Sequence, residues 1–229
     1  MSRTAPRTPS ASGSSAAPPS PQWLRGALAA AIAFVVLYLG LLSVLFLTGV
    51  PDDRLGEEHA AVRSYVVTPV GRDDLVFLDR SERDHLEDVR ALFSAGSLLT
   101  LLSIGFAAVT TWALRGVPER RRELFTAALR WAAIGIVGLM TLGVIGALLD
   151  FDEFWSAVHA VLFPQGGWRF GPDSRLRDIY TDSYFLGFVL RWGLLVLALG
   201  ALLAGVASLS DPERAARSRP GRRPKADRR

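Results

Sequence analysis

Four apolar runs, each about as long as a bilayer is thick, set the first constraint on what this chain can become. A membrane-spanning helix needs about 20 mostly apolar residues at about 1.5 Å rise each. Residues 26–50, 91–114, 131–149 and 185–209 all meet that requirement. Half of the 229 residues (50%) are apolar, and they are pooled in these runs rather than spread in amphipathic periods, which excludes a soluble globule. The expectation is an all-α integral membrane protein, a four-transmembrane-helix bundle occupying residues 23–210, with long loops at 51–90 and 150–184.

The segments flanking the bundle differ from it in composition. Residues 1–22 are rich in Ser, Pro and Ala and carry no apolar pattern, as expected of a disordered tail. A cleaved signal peptide competes as a reading of the first run. The run exceeds the apolar core of a signal peptide and no A-x-A site follows it, so an uncleaved anchor is expected. Residues 211–229 form a second tail, with eight basic residues against three acids.

Charge placement gives the direction of the spans, because cytoplasmic loops hold the excess of Arg and Lys. Arg3, Arg7 and Arg25 have no acid near them, and the loop between the second and third runs holds Arg115, Arg120, Arg121, Arg122 and Arg130. Residues 51–90 hold 11 acids against 6 bases, and residues 150–184 hold 6 against 3. Both termini are therefore expected in the cytoplasm and both acidic loops outside. Anionic lipid accounts for a short Arg/Pro tail directly behind a span, so no nucleic-acid partner is expected. The preference for 25 Arg over the single Lys225 reflects a GC-rich coding sequence more than a partner.

The candidate chemistry lies in the two acidic loops. The chain has no cysteine, which removes disulfides, thiolate metal sites and a cysteine nucleophile together. No G-x-S-x-G elbow, P-loop, H-E-x-x-H or Cys/His metal spacing occurs, so neither metal nor cofactor is expected. The three histidines, His59, His85 and His159, all fall in those loops, and His is the usual side chain for moving protons at neutral pH.

The first loop ends in Ser81-Glu-Arg-Asp-His-Leu-Glu-Asp-Val-Arg90, where Ser81 and Asp84 have the spacing of a capping box that starts a helix. On that helix His85 shares a stripe with Val89 and Leu92, and Asp88 at i+3 is in reach of its ring. A carboxylate there orients a general base; the same spacing also serves a purely structural pair. Upstream, Tyr65-Val-Val67 and Leu75-Val-Phe-Leu78 flank a Pro/Gly turn and read as a short β-hairpin capping the bundle. His59, in Glu57-Glu-His59, has no partner pattern and reads as a solvated surface residue.

In the second loop, Asp150–Phe163 reads as an amphipathic helix lying at the membrane surface, with Phe151, Phe154, Trp155, Val158 and Leu162 in one stripe. His159 and Asp152 sit on its flank beside Trp155, and a Gly/Pro-rich turn bearing Trp168 leads toward the last span. Arg191, about two turns into that span, is placed to snorkel or to hold a lipid oxygen.

At these two loops the chain resembles the lipoprotein intramolecular transacylase (Lit) family and the wider group of four-span bacterial membrane proteins containing it. The resemblance rests on Ser81–Phe93, on Phe151–Pro164 and on Trp168-Arg-Phe170, and covers the layout from about Trp23 to Ser210. It implies a bacterial cytoplasmic-membrane enzyme whose partner is a diacylated lipoprotein N-terminus. The sn-2 acyl chain of the diacylglyceryl-cysteine would move to that cysteine's α-amine, with the family's two histidines at His85 and His159.

That chemistry suits the residues. An α-amine of pKa near ~7.7–8.0 needs only one proton removed by a neutral imidazole. The sequence leaves open which histidine is the base. The expectation is His85, oriented by Asp88, with His159 at the oxyanion or leaving alkoxide, Glu82 near the amine, and Trp155 and Trp168 as an interfacial rim. Two other readings stand beside it: a non-enzymatic envelope protein whose cap binds a protein or lipid, and a lipid hydrolase using a His-activated water. An enzyme requires the two histidines to converge, whereas a binding module leaves them apart or solvated.

Overall fold

In the computed structural model, which describes residues 21–50, 52–68 and 75–210, seven α-helices follow one another. They are α1 (Gln22–Leu47), α2 (Gly56–Val67), α3 (Arg80–Ala113), α4 (Pro118–Leu149), α5 (Phe151–Leu162), α6 (Arg175–Ile179) and α7 (Asp182–Leu209), with a 3-10 turn at Asp53–Leu55. Helices α1, α3, α4 and α7 are each long and apolar enough to cross a membrane. The readings of residues 1–20 and 211–229 as tails fall outside the described residues.

Helix length explains why the start of α3 projects beyond its apolar run. At 34 residues α3 is about 51 Å long, against a hydrocarbon core of about 30 Å. Its surplus is at the start, where Arg80–Arg90 carries charged side chains at most positions and the apolar run begins only at Ala91. The surplus of α4 lies at the opposite end, in the Arg-rich turns after Pro118. That end gathers the start of α1, the start of α4 and the end of α7, through Arg25–Glu123 at 2.6 Å and Arg122 Nε donating to the Ser210 carbonyl at 2.8 Å.

Helix α1 is central, packing on α3, α4 and α7, while α4 also packs on α7. Lipid is as apolar as the side chains, so close backbone approach at small residues holds such bundles together. Gly40 lies under Val196, Gly193 under Val144, and Gly96 under the Tyr38 ring. The Tyr38 hydroxyl donates to the Phe93 carbonyl at 2.6 Å and lies 2.9 Å from Ser97 Oγ, so the polar group at this contact is satisfied. A Cβ on Gly96 would collide with the Tyr38 ring, whereas one on Gly105 would meet nothing within 4 Å. Gly96→Ala should therefore destabilise the bundle by about 1–3 kcal/mol. Gly105→Ala should be neutral or slightly stabilising. Equal denaturation midpoints for the two variants in detergent would contradict this packing.

Above the spans, α2, the turn at Leu75–Leu78, the start of α3 and α6 enclose a separate core of Val62, Val66, Leu75, Leu78, Leu86 and Leu176. This cap is helical, and the expected β-hairpin is absent among the described residues. Tyr65–Val67 forms the last turn of α2, because His59, Val62 and Val66 repeat at helical spacing and bury one face. Leu75–Leu78 closes a tight turn, with the Leu78 N–H donating to the Leu75 carbonyl at 3.1 Å. Residues 69–74, read as the hairpin's turn, lie outside the described residues. Arg175 binds Glu58 through two hydrogen bonds of 2.7 and 2.8 Å and so ties α6 to α2.

The start of α3 also differs from expectation. The capping box is Asp79 with Glu82, not Ser81 with Asp84: Asp79 Oδ1 accepts from the Glu82 N–H at 2.8 Å and Glu82 Oε2 accepts from the Asp79 N–H at 2.9 Å. Starting there turns Glu82, His85, Leu86, Gly96 and Thr100 inward. Leu92, expected beside His85, is instead exposed on the outer face.

Candidate active site

His85 comes from the projecting turns of α3 and His159 from the last turn of α5, 74 positions later in the chain. Their imidazoles converge, with ring centroids 6.1 Å apart and planes inclined by 30°. Each residue is 8% exposed. Phe163 packs edge-on against His85 at 4.8 Å and Phe170 at 5.5 Å. Trp155 and Trp168 flank His159 at 4.3 and 4.8 Å. Phe185, from the first turn of α7, backs Trp155 at 4.3 Å.

Local sequence explains this convergence. Asp150 caps α5 by accepting from the Glu153 N–H at 3.0 Å, and Phe154 lies against Gly146 of α4, which fixes the roll of the helix. His159 thereby becomes the buried residue of α5, while Val161 and Leu162 of the helix point outward. Gly166 and Gly167, at φ +80° and +84°, then reverse the chain and return Trp168 to the His159 ring. Side chains with a Cβ rarely take that backbone conformation.

Hydrogen bonding distinguishes the two imidazoles. His159 Nδ1 lies 3.0 Å from the Trp155 carbonyl, which can only accept, so Nδ1 carries the proton and Nε2 holds the free lone pair. His85 Nδ1 is buried and has no hydrogen-bond partner among the described residues. Asp88 does not supply one: its Oδ2 accepts from Gln165 Nε2 at 2.9 Å, pinning the start of the Gly166–Gly167 turn to α3. The expected orienting hydrogen bond is thus lost to a competing amide, because a carboxylate at i+3 is also within reach of the neighbouring loop. Asp88 acts on His85 through charge alone.

Burial holds both imidazoles neutral. His85 is pushed down to about 4, first by burial and then by the nearby His159, with the Asp88 charge opposing. His159 is also lowered by burial, with the hydrogen bond to the Trp155 carbonyl opposing. The folded state therefore refuses protons that an unfolded His85 accepts below about pH 6.5. Stability should be fullest above pH 6.5 and fall between pH 6.5 and about 4. His85→Gln should reduce that slope in thermal unfolding, leaving the share of His159 and His59, which burial also lowers, and an unchanged slope would show that His85 carries none of it.

The remaining expected site residues fall into three positions. Glu82, 1% exposed, is a clamp. Its Oε1 accepts from Ser174 Oγ at 2.5 Å and from the Leu176 N–H at 2.8 Å, and its Oε2 is the capping-box acceptor. Trp155 and Trp168 contact His159 directly. Asp152 is exposed and lines a shallow pocket with Asp150, Phe151, Asp182, Ser183 and Leu186, with no hydrogen bond to His159 among the described residues. Arg191 is exposed on α7, its guanidinium lying back over Gly187.

Sequence reasoning missed Phe163, Phe170, Phe185 and Gln165. Phe163 was within reach as the i+4 neighbour of His159 and Phe170 lies in the Trp168-Arg-Phe170 motif, whereas Phe185 and Gln165 come from other segments and leave no local signal. His59, expected on the surface, is buried at 3% exposure. It bridges the Tyr180 hydroxyl at 3.1 Å and the Thr48 carbonyl at 3.2 Å. Among the described residues no group of three or more His, Cys, Asp or Glu side chains is placed to hold a metal ion.

Known proteins share this fold. The model of the lipoprotein intramolecular transacylase Lit family matches residues 27–185. The fold is similar to the solved structure of the membrane-integral lipoprotein intramolecular transacylase Lit from Bacillus cereus. The TM-score is 0.71 at 16% identity, covering 85% of this chain and 97% of that one. Two further Lit structures from Bacillus cereus, each with one histidine replaced (by Arg in one, by Ala in the other), give a TM-score of 0.65 at 15% identity. They cover 86% and 85% of this chain and 94% and 95% of their own. No curated protein matches the sequence. With the family model spanning the first three membrane helices, the cap and both histidine loops, the chain belongs to the lipoprotein intramolecular transacylase (Lit) family.

Proposed function

We propose that the His85–His159 pair performs the acyl transfer of this family, moving the sn-2 acyl chain of a lipoprotein's diacylglyceryl-cysteine to its α-amine. The product is the lyso-form lipoprotein. The observation that carries the reading is the convergence of two neutral imidazoles, from separate loops, inside an aromatic enclosure beside the membrane spans. A module that only binds a partner has no need of that arrangement. The aromatic walls also favour transfer over hydrolysis, because they keep water from the ester.

The hydrogen bonds support a division of labour. His159, its Nδ1–H held by the Trp155 carbonyl, presents Nε2 as the general base. The neutral amine attacks the ester carbonyl, the N–C bond forms, and His159 takes the proton released from nitrogen. His85, whose buried Nδ1 has no protein partner to satisfy among the described residues, is suited to donate a ring N–H to the tetrahedral oxyanion. As the ester C–O bond breaks, His159 returns its proton to the departing glycerol oxygen. No proton is gained or lost overall and no cofactor is needed. Because both groups belong to one molecule, positioning can supply as much as ~7–11 kcal/mol of the barrier.

The acidic cap belongs outside the cytoplasmic membrane and both termini inside, on the strength of the arginine asymmetry. Trp155 and Trp168 border the route from the lipid, and Arg191 is suited to a lipid phosphate or carbonyl oxygen. The test is the mass and fragmentation of a lipoprotein N-terminal peptide from a host lacking its own N-acylation. Expression of this protein should move one chain from ester to amide with total mass unchanged. A peptide that stays diacylglyceryl-modified beside well-inserted protein would refute the reading for that substrate.

A further inference from the structure

The third histidine lies outside the aromatic enclosure yet touches the first turn of α7, which frames it. His59 of α2 meets the Thr48 carbonyl, which ends α1, and the hydroxyl of Tyr180, which ends α6. Its ring also packs edge-on against Tyr184 in the first turn of α7, at 5.9 Å. The Thr48 carbonyl can only accept, so Nε2 carries the proton, and Nδ1 accepts from the Tyr180 hydroxyl. Both ring nitrogens are thereby committed, and the tautomer is fixed.

From this junction ring contacts run unbroken to the site. Tyr180 and Tyr184 lie 5.7 and 5.5 Å from Phe185. Phe185 lies 4.3 Å from Trp155. Trp155 covers the His159 ring and supplies the carbonyl that holds its Nδ1–H. We propose that His59 and Tyr180 are positioning residues for the transfer: their hydrogen bond sets the first turn of α7, and through Phe185 and Trp155 it fixes the orientation and tautomer of His159. The inference rests on the assignment of His159 as the base. A histidine suits the junction because one ring bridges a fixed acceptor and a fixed donor across three chain segments.

The test compares His59→Phe, Tyr180→Phe and His59→Gln in the full-length protein, with the nitrogens of isotope-labelled histidine followed by NMR. Wild type should show His159 as a single Nδ1–H tautomer. Both Phe variants should show a tautomer mixture, with kcat down about tenfold on a diacylated lipopeptide and KM unchanged within about twofold. His59→Gln, whose amide can donate to Thr48 and accept from Tyr180, should recover most of kcat. Tyr180→Phe removes one oxygen only and guards against a variant that fails to fold. A single tautomer with near-normal kcat in both Phe variants overturns the proposal. So does a loss of kcat that accompanies loss of cooperative unfolding with no tautomer change. A tautomer mixture in the variants beside a wild type that transfers no acyl chain upholds the coupling and refutes the reaction instead.

Discussion

Replacing His159 with Ala is expected to lower kcat for acyl transfer by roughly 10²–10⁴-fold, the usual worth of a positioned general base. KM should hardly move, since in the proposed reaction the imidazole acts on a proton that is transferred only in the transition state. His85→Ala should cost roughly 10²–10³-fold, the scale of one lost oxyanion donor. The double variant should be little worse than His159→Ala alone, because residues that act as one unit are not additive. The pH profile adds a second check. With His85 at about 4 and His159 also lowered, neither imidazole should limit the rate near neutrality. The acid limb should instead follow the substrate amine, rising through about pH 7.7–8.0. An acid limb near 6.5 that disappears in His85→Gln would mean that the site is wetter than this enclosure allows.

The second large effect is structural and centres on Glu82. Its carboxylate holds the N-terminal turn of α3 to the loop entering α6, through Ser174 and the Leu176 N–H. Glu82→Ala leaves two buried donors without acceptors, at about 1–3 kcal/mol each. The cap should therefore loosen by several kcal/mol while the four spans stay folded. Hydrogen exchange should rise across residues 80–86 and 174–180, and activity should fall with it because Phe170 and Trp168 lie on the loop so released. Glu82→Gln keeps one acceptor oxygen and should retain most of the stability. If Glu82→Ala instead raised KM alone, with exchange in the cap unchanged, Glu82 would be binding substrate, as its sequence position also allowed.

The spans and the helices that bear the two key histidines were legible because their signals are local. Apolar run length marks α1, α3, α4 and α7 regardless of what they pack against. The alternation of aromatic and polar residues after Asp150 marks α5 in the same way. His85 and His159 stood out because a chain with no cysteine and three histidines has few groups suited to proton transfer. Tyr65–Val67 misled because three residues with β-propensity carry less weight than the spacing of His59, Val62 and Val66, which counts only once α3 and α6 are present to be packed against. Asp88 misled for a related reason. Helical spacing gives a carboxylate's reach, and the loop bearing Gln165 decided which donor it took.

By itself, then, the sequence determined a four-span membrane chain with its candidate chemistry concentrated in two acidic loops, since transfer energies and helix period depend on residues near in the chain. The tertiary structure alone decided that His85 and His159 meet at 6.1 Å, that Trp155 rather than Asp88 orients an imidazole, and that His59 is an internal bridge. Each of those depends on how α3, α5 and α7 roll against one another. That roll is set by a few close contacts, such as Phe154 on Gly146 across the junction of α4 and α5 and Glu82 on Ser174, 92 positions away, and no local pattern of apolar and polar residues encodes it.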